Sequence, residues 1–187
     1  KIIKIPSGEI TNYPLLKAIS ELPVDVIMST GMSTFDEISQ ALTVLNSVNR
    51  IKSISLLHCN TQYPTPFIDV NLNVLDSMKN QFCDCDVGYS DHTLGIVVPI
   101  AAVAKGASII EKHFTLDRSM EGPDHGASLE PGELKTMIES IRVAEQILGS
   151  NKKEVTPSEK ENLCVARKFV VAARGIKIGE IFTEENV

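Results

Sequence analysis

Apolar segments of strand length recur along the chain at intervals of roughly 23 to 31 residues, and a stretch with helical periodicity follows each of them. This interval is that of a βα unit, in which a strand, a helix and two short loops alternate. Such nearly continuous apolar strands indicate a parallel sheet that is covered on both faces. The sequence therefore predicts an α/β fold with five βα units, whose strands are IIKI, DVIMS, SISLLHC, CDVGYS and ASIIEKHF.

Two parallel architectures fit five such units, a doubly wound sheet and a (β/α)8 TIM barrel. A doubly wound sheet concentrates its functional residues at one switch point, whereas every strand of a barrel contributes to the mouth. Polar residues stand at or just past the end of each predicted strand, which favours the barrel: Ser7, Ser29, Thr61, Ser90 and His113. Helices are predicted over residues 12–21, from Thr34 with Glu37 in capping-box spacing, and over 71–79, 95–105 and 131–148.

The composition changes after Gly149. Residues 150–168 are polar, as linkers are, and residues 169–187 have the pattern of a strand, a tight turn and a second short strand. These last residues are too few to fold alone. We therefore expect a barrel segment over 1–149, a linker over 150–168 and the beginning of a further domain over 169–187, within a longer polypeptide.

Composition narrows the function classes. The net charge of -6 argues against a nucleic-acid surface, and no apolar run is long enough for a membrane span. Four cysteines without framework spacing indicate reduced thiols in a cytoplasmic protein.

Two histidines occupy equivalent places in successive units. His92 and His113 are 21 positions apart and each follows an apolar run, so they should stand at adjacent strand ends. Two neutral imidazoles there could hold a divalent metal and leave other positions open to substrate. The alternative is that Asp91 or Ser90 caps a helix with His92 in its first turn.

Two further segments suit an anion. Lys4, Ser7 and Glu9 surround Gly8, which lets the backbone approach a ligand closely. Ser29 begins a hydroxyl- and glycine-containing turn before a helix, which is a typical phosphate nest. Ordinary turns are the alternative for both segments.

Two loops suit a sugar. Tyr63 lies on a loop stiffened by two prolines, although it could simply pack against them. Asp124 lies in the long loop after the fifth strand and could accept a hydrogen bond from a sugar hydroxyl. Lys112 and Arg118 are expected to be solvated charges.

Six linked motifs resemble those of the sialic acid synthases, a family that includes N-acetylneuraminate, legionaminate and pseudaminate synthases. The resemblance covers essentially the whole chain and implies a (β/α)8 barrel, a linker and an antifreeze-like (SAF) domain. The chain would then comprise barrel strands four to eight, the linker and the start of the SAF domain. The motifs are SGEITN, MSTGM, LHCNTQYPTP, VGYSDHTLG, IIEKHFTLDR and MEGPDHGASLEPGEL.

The resemblance implies that phosphoenolpyruvate condenses with N-acetylmannosamine, or a related N-acylated mannosamine, to give an N-acetylneuraminate-type nonulosonic acid and phosphate. Mn²⁺ or Mg²⁺ would assist, bound by His92 and His113. Glu9, Glu111 and His113 would be catalytic. The substrates would be bound by Lys4, Ser7, Ser29, Thr61 and Ser90 around phosphoenolpyruvate, and by Tyr63, Glu111 and Asp124 around the sugar.

The resemblance also implies a domain-swapped homodimer. The family's first three strands and the SAF arginine that reaches the partner's site lie outside this chain, so it should not close a site alone. Three alternatives remain at this stage: an N,N'-diacetyllegionaminate synthase, a non-catalytic barrel that binds a phosphorylated metabolite, and another phosphoenolpyruvate-condensing barrel that makes a keto-deoxy sugar acid.

Overall fold

Five parallel strands alternate with five helices in the N-terminal part of the chain. The computed structural model describes all 187 residues, which divide into two units, Lys1–Gly149 and Ser150–Val187. The strands are β1 (Ile2–Ile5), β2 (Asp25–Ser29), β3 (Ser53–Cys59), β4 (Asp86–Asp91) and β5 (Ile110–Lys112). The helices are α1 (Tyr13–Ser20), α2 (Phe35–Leu45), α3 (Val74–Gln81), α4 (Val97–Ala104) and α5 (Pro131–Leu148).

The order of the strands separates the two candidate architectures. Every neighbouring pair is parallel, and the spatial order β1-β2-β3-β4-β5 is the chain order. In a doubly wound sheet, the side on which successive strands are added reverses at a switch point. In a barrel, each new strand is added on the same side. The prediction of a barrel-type sheet with five βα units is therefore confirmed, while the other three strands stay a prediction.

The sheet is strongly curled. Lys4 on β1 and Glu111 on β5 belong to the two outermost strands, yet the Nζ atom of Lys4 lies 3.5 Å from Oε2 of Glu111. In a flat sheet these strands would be four spacings, or about 19 Å, apart. The five strands thus form an arc whose concave side brings side chains from both edges together.

Alternation along the strands separates the core from this concave side. Ile5, Met28, Leu56 and Tyr89 are buried in the main apolar cluster, where helix residues such as Leu75 also lie. Because successive strand residues point to opposite faces, the residues between them face the concave side. The outward-facing apolar residues pack against the helices, and the polar residues among the inward-facing ones can form a site near the strand ends.

Local sequence signals determine where the helices begin. The Thr34 hydroxyl accepts a hydrogen bond from the backbone N–H of Glu37 (3.3 Å), and the Glu37 carboxylate accepts one from the Thr34 N–H (2.7 Å). This is the predicted capping box of α2. At α1, the side chain of Asn12 accepts a hydrogen bond from the N–H of Leu15 at 3.3 Å. The predicted helix over 131–148 coincides with α5.

The second unit, Ser150–Val187, has little regular structure. A helix, α6 (Lys160–Ala166), lies within the segment predicted to be a linker, and no strand forms in residues 169–187. The apolar side chains of the predicted strands are largely exposed: Val170 is 86% accessible and Ile181 is 81% accessible. These side chains have no apolar surface to pack against. Because strand propensity alone is not enough to stabilise a sheet, no strand forms. The SAF assignment stays a prediction.

No helix in the structure combines the length and the apolar character that a membrane span requires.

Candidate functional site

A cleft lies on the concave side of the sheet, at the carboxyl ends of the strands. Each strand ends in a loop that contributes a polar side chain, because the last inward-facing residues of the strands meet at this mouth. Glu9 and Asp124 are the predicted site residues that do not line the cleft. Those that do are Lys4, Ser7, Ser29, Thr61, Tyr63, Ser90, His92, Glu111 and His113.

One side of the cleft carries a group of hydrogen-bond donors. The Lys4 ammonium donates to the Ser29 hydroxyl at 2.8 Å. The Ser7 hydroxyl accepts a hydrogen bond from the N–H of Gly31 at 3.0 Å, which leaves its own proton free to donate. A cation and two hydroxyls that converge in this way suit the charge and the acceptor oxygens of a phosphate group.

Glu111 connects this donor group to the rest of the cleft. Its Oε1 atom accepts a hydrogen bond from the Ser90 hydroxyl at 2.7 Å, and its Oε2 atom is the one 3.5 Å from Lys4. Ser90 and Glu111 are register partners on β4 and β5. The carboxylate therefore occupies a fixed place between two groups that an anionic ligand could also contact.

His92 has a defined tautomer. Its Nδ1 atom lies 2.6 Å from the backbone oxygen of Asn60, which can only accept, so Nδ1 carries the proton and Nε2 keeps its lone pair. Burial lowers the pKa of His92, and the neighbouring His113 acts in the same direction, whereas the hydrogen bond to Asn60 opposes them. The neutral ring with a free Nε2 is the form that binds metals.

The two histidines fit a shared divalent ion. Their ring centroids are 5.2 Å apart. An ion about 2.1 Å from a ring nitrogen lies about 3.2 Å from the ring centre, so two rings that share an ion can be up to about 6.4 Å apart. No group of three or more His, Cys, Asp or Glu side chains is arranged around a common metal position. Two imidazoles alone would leave the remaining coordination positions of an ion to water or substrate.

Tyr63 forms a wall of the cleft. Its ring centroid lies 4.0 Å from that of His92 and 5.3 Å from that of His113. The loop that carries it is attached to the end of β4, because the N–H of Thr65 donates to the His92 carbonyl at 3.0 Å. The ring therefore packs on the histidine pair, and an amphipathic phenol is placed where a sugar could lie against it.

The two residues outside the cleft have different positions. Glu9 ends the short 3-10 turn Ser7–Glu9 and accepts a hydrogen bond from the side chain of Asn12 at 2.6 Å, at the start of α1. The structure thus does not bring this predicted catalytic residue into the cleft, because the helix cap holds its carboxylate. Asp124 lies on the rim, with Oδ2 at 4.0 Å from Nδ1 of His113.

Arg118 anchors the long loop after β5. It forms an ion pair with Glu133 in the first turn of α5, and its Nε donates to the carbonyl of Ser128 at 3.0 Å. The Arg118 side chain is 41% accessible, so it is a solvated charge as expected, and it also helps to hold the loop that carries Asp124.

Sequence reasoning missed Cys59 as a residue of the cleft, and it missed the steric role of Gly31. Cys59 lines the cleft, with Sγ at 3.8 Å from Nδ1 of His92, and burial raises the pKa of its thiol. Gly31 has no space for a side chain, since a Cβ atom would lie 2.7 Å from Cγ2 of Thr61 and 2.9 Å from Oγ of Ser7. The alternation of inward residues on β3 is a signal that could have identified Cys59.

Comparison with known proteins gives consistent matches. The sequence matches the NeuB family over residues 1–153. It is 53% identical over 189 residues to an N,N'-diacetyllegionaminic acid synthase of Campylobacter jejuni, covering 100% of this chain and 56% of that protein. It is 41% identical over 192 residues to an N,N'-diacetyllegionaminic acid synthase of Legionella pneumophila, covering 100% of this chain and 53% of that protein.

A solved structure agrees with these matches. The crystal structure of an N-acetylneuraminic acid (sialic acid) synthetase from Leptospira borgpetersenii in complex with citrate superposes with a TM-score of 0.79 at 38% identity. The match covers 88% of this chain and 56% of that one. The chain spans about half the length of the curated relatives it matches.

Proposed function

The chain belongs to the NeuB family, and on that premise we propose that the complete protein condenses phosphoenolpyruvate with an N-acylated mannosamine-type sugar. The products are a nonulosonic acid and inorganic phosphate. The observation that carries this proposal is the single cleft that combines the Lys4, Ser7 and Ser29 donor group with the His92 and His113 pair. An anion site and a two-histidine metal site side by side suit an anionic enol and an aldehyde that must meet.

Different residues of the cleft would bind the two substrates. The Lys4 ammonium and the hydroxyls of Ser7, Ser29, Thr61 and Ser90 bind the phosphate and carboxylate of phosphoenolpyruvate and balance their charge. On the sugar side, Tyr63 offers a ring face, and Glu111 and Asp124 offer acceptor oxygens for hydroxyl groups. Lys4 and Ser90 already contact Glu111, so both substrates would be held within reach of one carboxylate.

The reaction requires that the aldehyde oxygen is polarised and that positive charge developing on the enol carbon of phosphoenolpyruvate is stabilised. A divalent ion held by His92 and His113, Mn²⁺ or Mg²⁺, would act as a Lewis acid on the aldehyde oxygen. A carbon–carbon bond forms between the methylene carbon of phosphoenolpyruvate and the aldehyde carbon, whose oxygen gains a proton. Water adds to the former enol carbon and phosphate leaves. The Glu111 carboxylate can stabilise the positive character that develops at that carbon.

Glu9 has a smaller part in this proposal than the resemblance implies. Its carboxylate is occupied by Asn12 outside the cleft. A direct acid–base role would require the 3-10 turn Ser7–Glu9 to change, so we assign the catalytic carboxylate to Glu111.

Two sugars are the candidates for the aldehyde. N-acetylmannosamine would give N-acetylneuraminate. A sugar with two acetamido groups would give N,N'-diacetyllegionaminate, and the 53% identity to an N,N'-diacetyllegionaminic acid synthase of Campylobacter jejuni supports it. Both would use the same cleft, since both reactions take phosphoenolpyruvate and an aldehyde.

A substrate panel tests the proposal. The complete protein is incubated with phosphoenolpyruvate, Mn²⁺ and each N-acylated sugar, and phosphate release is measured together with product mass. We expect a nonulosonic acid from one of the two sugars, in equal amount to phosphate. Tight binding of phosphoenolpyruvate without turnover of any sugar would instead support the non-catalytic barrel.

The proposal extends to the assembly. The complete protein would form a homodimer in which a domain beyond residue 168 covers the partner's cleft and excludes water. Light scattering that finds a fully active monomer would refute this arrangement.

A further inference from the structure

The two histidines follow directly after a pair of opposite charges. Asp91 and Lys112 are register partners on β4 and β5, and they form the last paired positions of these strands. The next residues along the chain are His92 and His113. The Lys112 ammonium lies 2.6 Å from Oδ2 of Asp91, and the two side chains are only 3% and 0% accessible. The expectation of a solvated Lys112 is therefore wrong, because its register partner could not be read from the sequence.

Both charged groups also hold the turn beyond His92. The Asp91 carboxylate accepts hydrogen bonds from the backbone N–H of Thr93 (3.0 Å) and from its hydroxyl (3.1 Å). Lys112 donates to the carbonyl of Thr93 as well. His92 thus stands between two residues that are fixed to each other and to the neighbouring strand.

An ion pair in this place constrains geometry more than it adds stability. Taking both charges out of water costs about as much as their attraction returns, so an apolar pair of similar volume is often as stable. The charged pair nevertheless fits one strand register, because a slip of one residue would turn the charged side chain of the shifted strand to the opposite face and leave the other charge buried without its partner. The same slip would turn the histidine of the shifted strand away from the histidine of its neighbour.

We propose that Asp91 and Lys112 are a positioning pair that holds β4 and β5 in the register in which His92 and His113 bind one divalent metal ion. The inference rests on the proposed function, since it deepens the metal site of that function. Neither side chain touches the metal or a substrate: the side chains of Asp91 and Lys112 lie on the opposite face of the sheet from the imidazoles, by strand alternation. The pair acts through the positions of the two rings.

Plain electrostatics and positioning predict opposite results at Lys112. Removal of a positive charge close to a cation site should tighten Mn²⁺ binding if only charge matters. If Lys112 acts by positioning, Lys112→Met should weaken Mn²⁺ binding, by about tenfold or more, the usual range for residues that orient metal ligands. The matched control is Lys105→Met, which removes a lysine from the exposed ion pair with Asp76 and should leave the Mn²⁺ affinity unchanged.

The decisive variant replaces both charges with apolar residues. In the complete protein, Mn²⁺ dissociation constants are measured by electron paramagnetic resonance, and thermal unfolding is followed for the same samples. Asp91→Leu with Lys112→Met should stay folded with a lowered unfolding temperature, because the buried N–H and hydroxyl of Thr93 lose their acceptor, and it should bind Mn²⁺ about tenfold more weakly. Asp91→Asn provides a second test that keeps the side-chain shape, with the same expected loss of affinity.

The results distinguish failure of the positioning role of Asp91 and Lys112 from failure of the proposed metal site itself. Wild-type Mn²⁺ affinity in the apolar double variant, or in a folded Asp91→Asn variant if the double variant does not fold, overturns the positioning role alone. Tighter Mn²⁺ binding by Lys112→Met does the same. A wild-type protein that binds no Mn²⁺ overturns the metal site of the proposed function and this inference with it.

Discussion

Nδ1 of His92 lies 2.6 Å from the backbone oxygen of Asn60. This contact leaves Nε2 of His92 with its lone pair, and it links the loop after β3 to the end of β4. In the proposed metal site, the orientation of His92 would therefore depend on a backbone group.

The first prediction concerns the two histidines. His92→Ala and His113→Ala should each lower kcat/KM of the complete protein by about a hundredfold or more, because one imidazole binds a divalent ion far more weakly than two. A chelator should abolish wild-type activity, and added Mn²⁺ should restore it. His125→Gln, on the loop after β5, is the matched control and should retain activity. Full activity of both alanine variants would contradict the assigned ligands.

The second prediction separates the two substrates. Lys4→Met should raise the KM for phosphoenolpyruvate by tenfold or more, about 1.4 kcal/mol of binding energy, and change the KM for the sugar little. The reason is that Lys4 and Ser29 form the cationic end of the donor group. Steady-state kinetics with each substrate varied in turn is the measurement, and Lys17→Met on the exposed face of α1 is the control. A larger effect on the sugar than on phosphoenolpyruvate would reverse the assignment.

The third prediction concerns the close approach of the Gly31 backbone to two side chains of the cleft, Thr61 and Ser7. Gly31→Ala would place a Cβ atom 2.7 Å from Thr61 and 2.9 Å from Ser7, so both side chains must move. We expect a loss of about 1–3 kcal/mol in the free energy of unfolding, and weaker phosphoenolpyruvate binding. Denaturant unfolding and calorimetry measure the two effects. Gly132→Ala at the start of α5, where a Cβ atom meets nothing within 4 Å, should be neutral or slightly stabilising.

The fourth prediction is a pH dependence of stability. Burial lowers the pKa of His58 below its usual 6.5, and the hydrogen bond to the Val70 carbonyl only partly offsets this. Below pH 6.5 the unfolded chain therefore binds a proton that the folded chain does not, so stability falls as the pH decreases, by at most about 1.4 kcal/mol per pH unit for one group. His92 contributes with the same sign.

His58→Gln tests this sign. Glutamine can donate to the Val70 carbonyl without titrating, so the variant should lose less stability than the wild type between pH 7.5 and pH 5.5. At pH 7.5, the difference in the free energy of unfolding between variant and wild type gives the effect of the substitution that does not depend on protonation. An unchanged or steeper pH dependence would contradict the role of His58.

Much of this structure could be predicted from short-range patterns. The strands followed from apolar runs, and α2 and α5 followed from a capping box and from a long apolar stripe, because these signals lie within a few residues of each other. The order of the strands could not be predicted from any one strand. It followed from the barrel architecture, which the polar residues at all five strand ends favoured. The strands predicted after Phe169 did not form, because their stability depends on partners that no local pattern encodes.

The site shows the same division. The residues at the strand ends could be named from the sequence, since barrel topology brings such positions together. The direction of a side chain could not: Glu9 is held by Asn12 and Lys112 by Asp91, and both contacts depend on three-dimensional neighbours. Gly31 was noticed as part of a turn, but its steric role depends on Thr61 and Ser7, which lie far away in the sequence.

A crystal structure of the complete protein with phosphoenolpyruvate and Mn²⁺, with anomalous scattering data collected to locate the metal, would show whether both ligands bind in this cleft. We expect one anomalous peak about 2.0–2.2 Å from Nε2 of His92 and from a ring nitrogen of His113, with phosphoenolpyruvate against Lys4, Ser29 and Ser90. A metal bound elsewhere with both rings turned away, or phosphoenolpyruvate bound outside the cleft, would contradict this expectation.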